Sequence, residues 1–317
     1  MNKLLTRFAL PLFAVLVIAG AAWAVVEAAR PQERENAVPT PRARKVGVLL
    51  ASHGSRSARW REMLLNVEHA VRDRVLADGS IAAVRTAYME YTEPSIATRL
   101  EEFDNEGFSD VIVVPLLLTV SSHSFDDIPT ICGLKSDAAS LAMMQSEGIR
   151  TYKPRARVHL TALLDFPAML ENNVLRRVGK LSKTPASEGV VLVAYGDTEY
   201  DAEWVALMER LKKGLATNMG INCAAHAWCG HIAHYSKEPT KSAIAEVLKS
   251  RQQALVIPLL VAVDENFQHK IIGGAVQESG NAERITYLPD AILPDAKLDE
   301  WVVEVALSTG RSIRKQP

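Results

Sequence analysis

From residue 45 onward, short runs of β-branched and other apolar residues alternate with longer stretches whose apolar positions recur every three or four residues. That alternation predicts βαβ units feeding a mainly parallel sheet. Residues 46–51 read as a buried strand and 59–76 as a helix carrying Met63, Leu64, Val67, Val71 and Val75 on one face. A strand over 81–89, a helix after Pro94 and a strongly apolar strand over 111–118 follow. The same order then begins again, with strands at 189–195 and 254–261 and helices at 203–215 and 239–248.

The second round repeats the first. Val111-Ile112-Val113-Val114-Pro115-Leu116-Leu117 aligns with Ala254-Leu255-Val256-Ile257-Pro258-Leu259-Leu260 at an offset of 143. Glu93-Pro94 aligns with Glu238-Pro239 at 145, and Ala51-Ser52-His53-Gly54 with Val193-Ala194-Tyr195-Gly196 at 142. Three segments holding nearly one offset indicate an internal duplication. The expected fold is therefore α/β with two similar lobes, 45–185 and 186–317, each a central sheet flanked by helices. Residues 132–154, which include Met143-Met144, show no clear period and read as an insertion or flexible surface flap.

The beginning of the chain is different in kind. Lys3 and Arg7 precede residues 8–26, a run without charge whose length approaches the ~20 residues that span a bilayer. Residues 1–29 are expected to be a signal peptide or a membrane anchor, with Ala22-Trp23-Ala24 as a small-x-small cleavage site if the segment is removed. A Pro-, Arg- and Glu-bearing linker over 30–44 follows, which sets the body in the periplasm or holds it on the inner membrane facing that compartment. Lys and Arg total 36 against 37 Asp and Glu, a balance that argues against a nucleic-acid partner. Cys132, Cys223 and Cys229 are too few for a disulfide framework; one bridge between Cys223 and Cys229 or free thiols are both open.

Open parallel sheets bind ligands beyond the carboxyl ends of their strands, so the residues just past each strand come first. His53 follows the first strand in Ser52-His53-Gly54-Ser55-Arg56. Glu90 follows the second in Glu90-Tyr91-Thr92-Glu93-Pro94, and His123 the third in Ser121-Ser122-His123-Ser124-Phe125-Asp126-Asp127-Ile128-Pro129. In these three motifs and their order the chain resembles the class II tetrapyrrole chelatases, the sirohydrochlorin cobaltochelatase and ferrochelatase family. The resemblance covers about residues 45–130, and 186–280 through the repeat.

That resemblance implies a lyase that inserts Co2+ or Fe2+ into sirohydrochlorin or a related tetrapyrrole held between the lobes. It also implies that His53 and His123 bind the metal and that Glu90 assists as ligand and proton acceptor. The residue types suit that role, since imidazole binds Co and Fe and a carboxylate can take one of the two pyrrole protons released. Ser55, Arg56, Ser122 and Tyr195 are candidates for contacting the macrocycle, Arg56 through the fork a guanidinium offers a carboxylate. No Gly-rich phosphate loop followed by Lys is present, so no nucleotide is expected. In the second lobe Tyr195 stands at the position of His53 and Asn266 at that of His123, so the metal histidines are absent there. His226, His231, His234 and His269, like His69 and His159, read as ordinary histidines, with a second metal or haem site at His226 and His234 as the alternative. Two further functions stay open: an envelope protein that binds haem or metal, and a dechelatase that strips metal from haem. The partners expected are the tetrapyrrole and, if residues 1–29 are retained, the membrane, with room for a homo-oligomer.

Overall fold

The computed structural model describes residues 44–164 and 168–316. The expected signal or anchor over 1–29 and nearly all of the linker lie outside those residues. Among the described residues no helix is long and apolar enough to cross a membrane.

In the first lobe β1 (Val46–Ser52) leads into α1 (Ala58–Ala77), β2 (Ala83–Tyr88), α2 (Ile96–Asn105) and β3 (Asp110–Pro115). A π-helical turn, Ser122–Asp127, runs into α3 (Ile128–Ile131), then come α4 (Ala138–Glu147) and β4 (Arg157–Leu160). The strands form a parallel sheet in the order β2-β1-β3-β4. Every residue of β1 is buried, as expected of an inner parallel strand covered on both faces. Ser57 starts α1 by accepting the amide N–H of Trp60, and the helix buries Trp60, Leu64, Val67, Val71 and Val75.

After α5 (Met169–Leu181) the second lobe runs β5 (Glu188–Ala194), α6 (Asp201–Met219), β6 (Ala224–Trp228), α7 (Glu238–Leu248) and β7 (Gln253–Leu259). A second π-helical turn, Asn266–Gly273, continues into α8 (Gly274–Glu278), followed by β8 (Ile285–Tyr287) and α9 (Ala296–Lys315). Its sheet is parallel too, in the equivalent order β6-β5-β7-β8. Register confirms the duplication in detail. Pro115 pairs with Ala51 and Pro258 with Val193, the same pair of positions in each lobe, and a π-helical turn follows at the same place after β3 and after β7.

The lobes share one core. A single buried cluster joins Val48, Leu50, Leu64 and Val114 of the first to Leu192, Met208, Leu211 and Ile257 of the second. The last helix of each half packs on the other half's sheet: α5 lies against α6 and β7, and α9 against α1 and β3. Arg177 of α5 donates to the Pro258 carbonyl at 2.7 Å, and Asn173 to Asp295 at 2.6 Å. At the other end Arg311 of α9 binds Asp78 at 2.6 Å, and Gly310 lies close to Ile81, which a methyl there would meet at 3.1 Å.

One expectation needs correction. Residues 132–154 are not a loose flap: they hold α4, begun by Asp137 accepting from the Ser140 N–H at 2.8 Å and ended at Gly148 with φ 71°. Met144 and Cys132 are buried and Tyr152 donates to Asp104 at 3.0 Å, so the segment is part of the first lobe's outer core. Of the two states left open for the cysteines, the structure has the free one: Cys132, Cys223 and Cys229 are all thiols.

Candidate functional site

Extension of the β1–β2 ladder beyond the strands puts His53 beside Glu90. The Met89 N–H binds the Ser52 carbonyl at 2.8 Å and the Glu90 N–H binds the His53 carbonyl at 3.0 Å. Gly54, next in the turn, has φ 102°, and a Cβ there would stand 2.0 Å from the Glu90 carbonyl oxygen. Only glycine lets the first loop pass that close to the second. The side chains follow the backbones: His53 Nε2 meets Glu90 Oε1 at 3.0 Å, while Nδ1 lies 3.0 Å from the Gly54 carbonyl.

His123 arrives from the third loop. Ser121 and Ser124 cap the π-helical turn reciprocally, each side chain reaching the other's backbone N–H. Four residues on from His123, Asp127 Oδ2 accepts from its Nδ1 at 2.8 Å. That bond fixes the tautomer and leaves Nε2 as the free lone pair, the arrangement in which a carboxylate orients a metal-binding imidazole. The His53 and His123 rings stand 4.8 Å apart, edge to face at 77°, each about a quarter exposed.

The electrostatics follow from burial and pairing. Burial pulls the His53 pKa down, but the hydrogen bond and charge of Glu90 outweigh it and leave it raised above the ordinary 6.5. Burial likewise works against the Glu90 carboxylate, and His53 overcomes it, so that Glu90 titrates below its ordinary value. A third carboxyl joins from α4: Glu147 hydrogen-bonds Glu90, and that bond, with burial and the repulsion of Glu90, pushes its own pKa up. Glu147 thus stands beside Glu90 as a second carboxyl that holds its proton more tightly than a free one. The site is an imidazole pair backed by three carboxyls, Glu90, Glu147 and Asp127.

One part of the sequence expectation differs. His53, His123 and Glu90 come together, but Glu90 turns to His53 instead of to a point shared with both rings. Among the described residues no group of three or more His, Cys, Asp or Glu side chains is arranged to hold an ion.

Both lobes line a cleft of about 870 Å³ in front of the histidines, walled by Trp60, Leu116, Leu118 and Trp204 and by Tyr91, Tyr195, Tyr235 and Phe267. Arg56 lines it too, its guanidinium 5.2 Å from the Tyr91 ring. Ser55 and Ser122 are engaged otherwise. Ser55 donates to Asp264 at 2.6 Å, and Ser122 binds Asp197 through its N–H at 3.2 Å and its hydroxyl at 3.1 Å. These clasps are related by the repeat: each joins the loop after one lobe's first strand to the loop after the other lobe's third. Tyr195 lies in the cleft, while Asn266, at the start of the second π-helical turn, is exposed at its rim. Away from it, His159 is paired with Asp110 at 2.8 Å, and His226 packs on Trp228 with its pKa lowered by burial.

Glu147, Asp127, Tyr235 and Phe267 escaped the sequence reading. Asp127, at i+4 from His123 across a turn, left the clearest trace. Nothing in the order of residues joins Glu147 to Glu90.

Residues 47–181 match the CbiX family model. The chain is 26% identical over 102 residues to the sirohydrochlorin cobaltochelatase of Saccharolobus solfataricus, covering 32% of this chain and 75% of that protein. It is 32% identical over 90 residues to the sirohydrochlorin cobaltochelatase of Methanocaldococcus jannaschii, covering 28% and 60%. Among solved structures, the sirohydrochlorin chelatase SirB of Bacillus subtilis subspecies spizizenii in complex with cobalt superposes with a TM-score of 0.60 at 18% identity, over 86% of this chain and 98% of that one. CbiX, described as the terminal enzyme of sirohaem biosynthesis in denitrifying bacteria, gives 0.52 at 15%, over 83% and 98%. The family-model match lies in the first lobe, and the fold match extends over both.

Proposed function

We propose that this chain, which belongs to the class II tetrapyrrole chelatase family through its CbiX-type residues 47–181, inserts a divalent metal into sirohydrochlorin or a closely related macrocycle lying in the cleft between its lobes. The observation that carries the reading is the pair of imidazoles 4.8 Å apart at the mouth of the first sheet, one with its tautomer set by Asp127 and the other locked to Glu90. Cobalt or iron, for which imidazole is a suitable ligand, is the substrate metal. Insertion forms two metal–nitrogen bonds at the pyrrolic nitrogens in place of two N–H bonds, so two protons must leave for each ion delivered.

His123 Nε2 is the ring nitrogen that would take the ion first, since the other three are held by Glu90, the Gly54 carbonyl and Asp127. His53, held on both nitrogens, would have to lose its Nε2 proton to solvent before it could ligate. Of the two pyrrole protons, Glu90 would accept one and His53, freed as the ion passes to the macrocycle, the other, both then leaving to solvent. The site grips the ion through few ligands, which suits an enzyme that must release it to the macrocycle.

Incubating the purified chain anaerobically with metal-free sirohydrochlorin and Co2+ or Fe2+, and following the visible spectrum, tests this. Insertion faster than the uncatalysed reaction is expected, with loss of at least a hundredfold in His53→Ala and His123→Ala. Wild-type rates in either variant would overturn it, and release of iron from haem without insertion would turn the reading to metal removal. The uncharged run over residues 8–26 supports placing this reaction beyond the inner membrane. A periplasm-dependent reporter fused after Pro317 should then be active.

A further inference from the structure

The second lobe keeps the frame of the histidine site and changes its chemistry. Beyond β5 and β6 the Cys229 N–H binds the Ala194 carbonyl and the Gly230 N–H binds the Tyr195 carbonyl, both at 2.9 Å. These bonds repeat those that set Glu90 beside His53, so Tyr195 stands where His53 does and Gly230 where Glu90 does. The two changes are coupled. A Cβ on Gly230 would lie 2.7 Å from the Tyr195 ring, so the ring fills the space that a carboxylate side chain uses in the first lobe.

The following turn is longer than its first-lobe counterpart. It folds back through the Tyr235 N–H to the Gly230 carbonyl at 3.0 Å and brings the Tyr235 hydroxyl to 3.3 Å from that of Tyr195. Phe267 completes the group, its ring 5.6 Å from Tyr195 and 6.2 Å from Tyr235. Tyr235 is half exposed and held at φ 54°, and Tyr91, in the corresponding turn of the first lobe, is half exposed at φ 65°. A left-handed backbone is costly for an aromatic residue and persists where a site requires it. Burial, with the hydrogen bond to Tyr235, raises the Tyr195 pKa, so this phenol, unlike the His53 it replaces, is poor at capturing a cation.

We infer that Tyr195, Tyr235 and Phe267 form a metal-free aromatic seat for the π face of the macrocycle, opposite the histidines. The inference rests on the proposed chelatase reading and adds to it a division of labour. One lobe handles the ion and the protons, while the other binds the flat ring and excludes the ion from its far side. Aromatic faces stack on a conjugated macrocycle in offset geometry, and the hydroxyl pair holds two of the rings in a common orientation.

The test is binding of metal-free sirohydrochlorin, read from quenching of tryptophan fluorescence, since Trp60 and Trp204 line the same cleft. Tyr235→Ala should weaken binding about tenfold and raise KM with little change in kcat, because an aromatic contact is lost. Co2+ binding, measured without macrocycle, should be unchanged. Tyr195→Phe and Tyr235→Phe should stay within about threefold of wild type, because the ring faces remain. Macrocycle affinity within twofold of wild type in Tyr235→Ala, or a loss as large in Tyr235→Phe as in Tyr235→Ala, would overturn the seat while leaving insertion by the wild-type chain intact. Failure of the wild-type chain to bind the macrocycle would overturn both readings. Tyr235 is half exposed, so its replacement leaves the core untouched.

Discussion

At the scale of single residues the site is governed by one contested proton. His53 holds it more tightly than a free imidazole because Glu90 more than offsets the burial that would expel it. A protonated His53 can neither ligate an ion nor accept a pyrrole proton. Turnover should therefore be low at acid pH and rise through a midpoint above 6.5, the ordinary histidine value. Glu90→Gln removes the hydrogen bond and the charge of Glu90, the two largest contributions that raise this pKa, and leaves the burial that lowers it, so the midpoint should move to lower pH. The plateau should fall by about a hundredfold or more, as a proton acceptor is lost. A pH–rate profile of the two proteins checks both signs; an upward movement of the midpoint would contradict this assignment of the His53–Glu90 pair.

At the scale of elements, what could be read from the chain was whatever depends on one element and its immediate sequel. The strands announce themselves by apolar runs, and parallel strands deliver their following loops to one edge, so His53, Glu90 and His123 were legible as neighbours. The repeat was legible because Pro115 and Pro258 keep one register in two sheets. Glu147 was not, because α4 has Asp137 and Gly148 at its ends but no apolar stripe between them. Its place is set by Met144, its one buried apolar side chain, with the half-buried Met143 beside it, against the outer face of the first sheet. The ties of Ser55 and Ser122 were equally hidden, because the aspartates that hold them come from a distant stretch of chain. Met144→Ala should cost about 2–4 kcal/mol, typical of emptying a buried methionine site, and should also slow turnover by freeing Glu147 from Glu90. Denaturant unfolding measures the first and single-turnover insertion the second. An unchanged rate in a destabilised protein would show that α4 supports the fold alone.

At the scale of the whole molecule, the duplication has produced two halves that no longer cover themselves. The helix that ends each half, α5 or α9, belongs by contact to the other, and buried side chains of both halves form one core. Neither stretch of chain is thus a self-sufficient body: on its own it would bare one apolar sheet face and carry one apolar helix with nothing beneath it. The same exchange makes the halves mutual chaperones. If residues 44–183 and 184–316 were produced as separate polypeptides, each should be poorly folded alone, and together they should assemble into a complex that resists dilution. Co-purification of the pair through a tag on one member, with recovery of the native circular dichroism spectrum, is the expected result. Two pieces that fold independently would deny the interlock. The swapped ends therefore act as a latch written into the backbone, one that a cut between the halves would leave fastened.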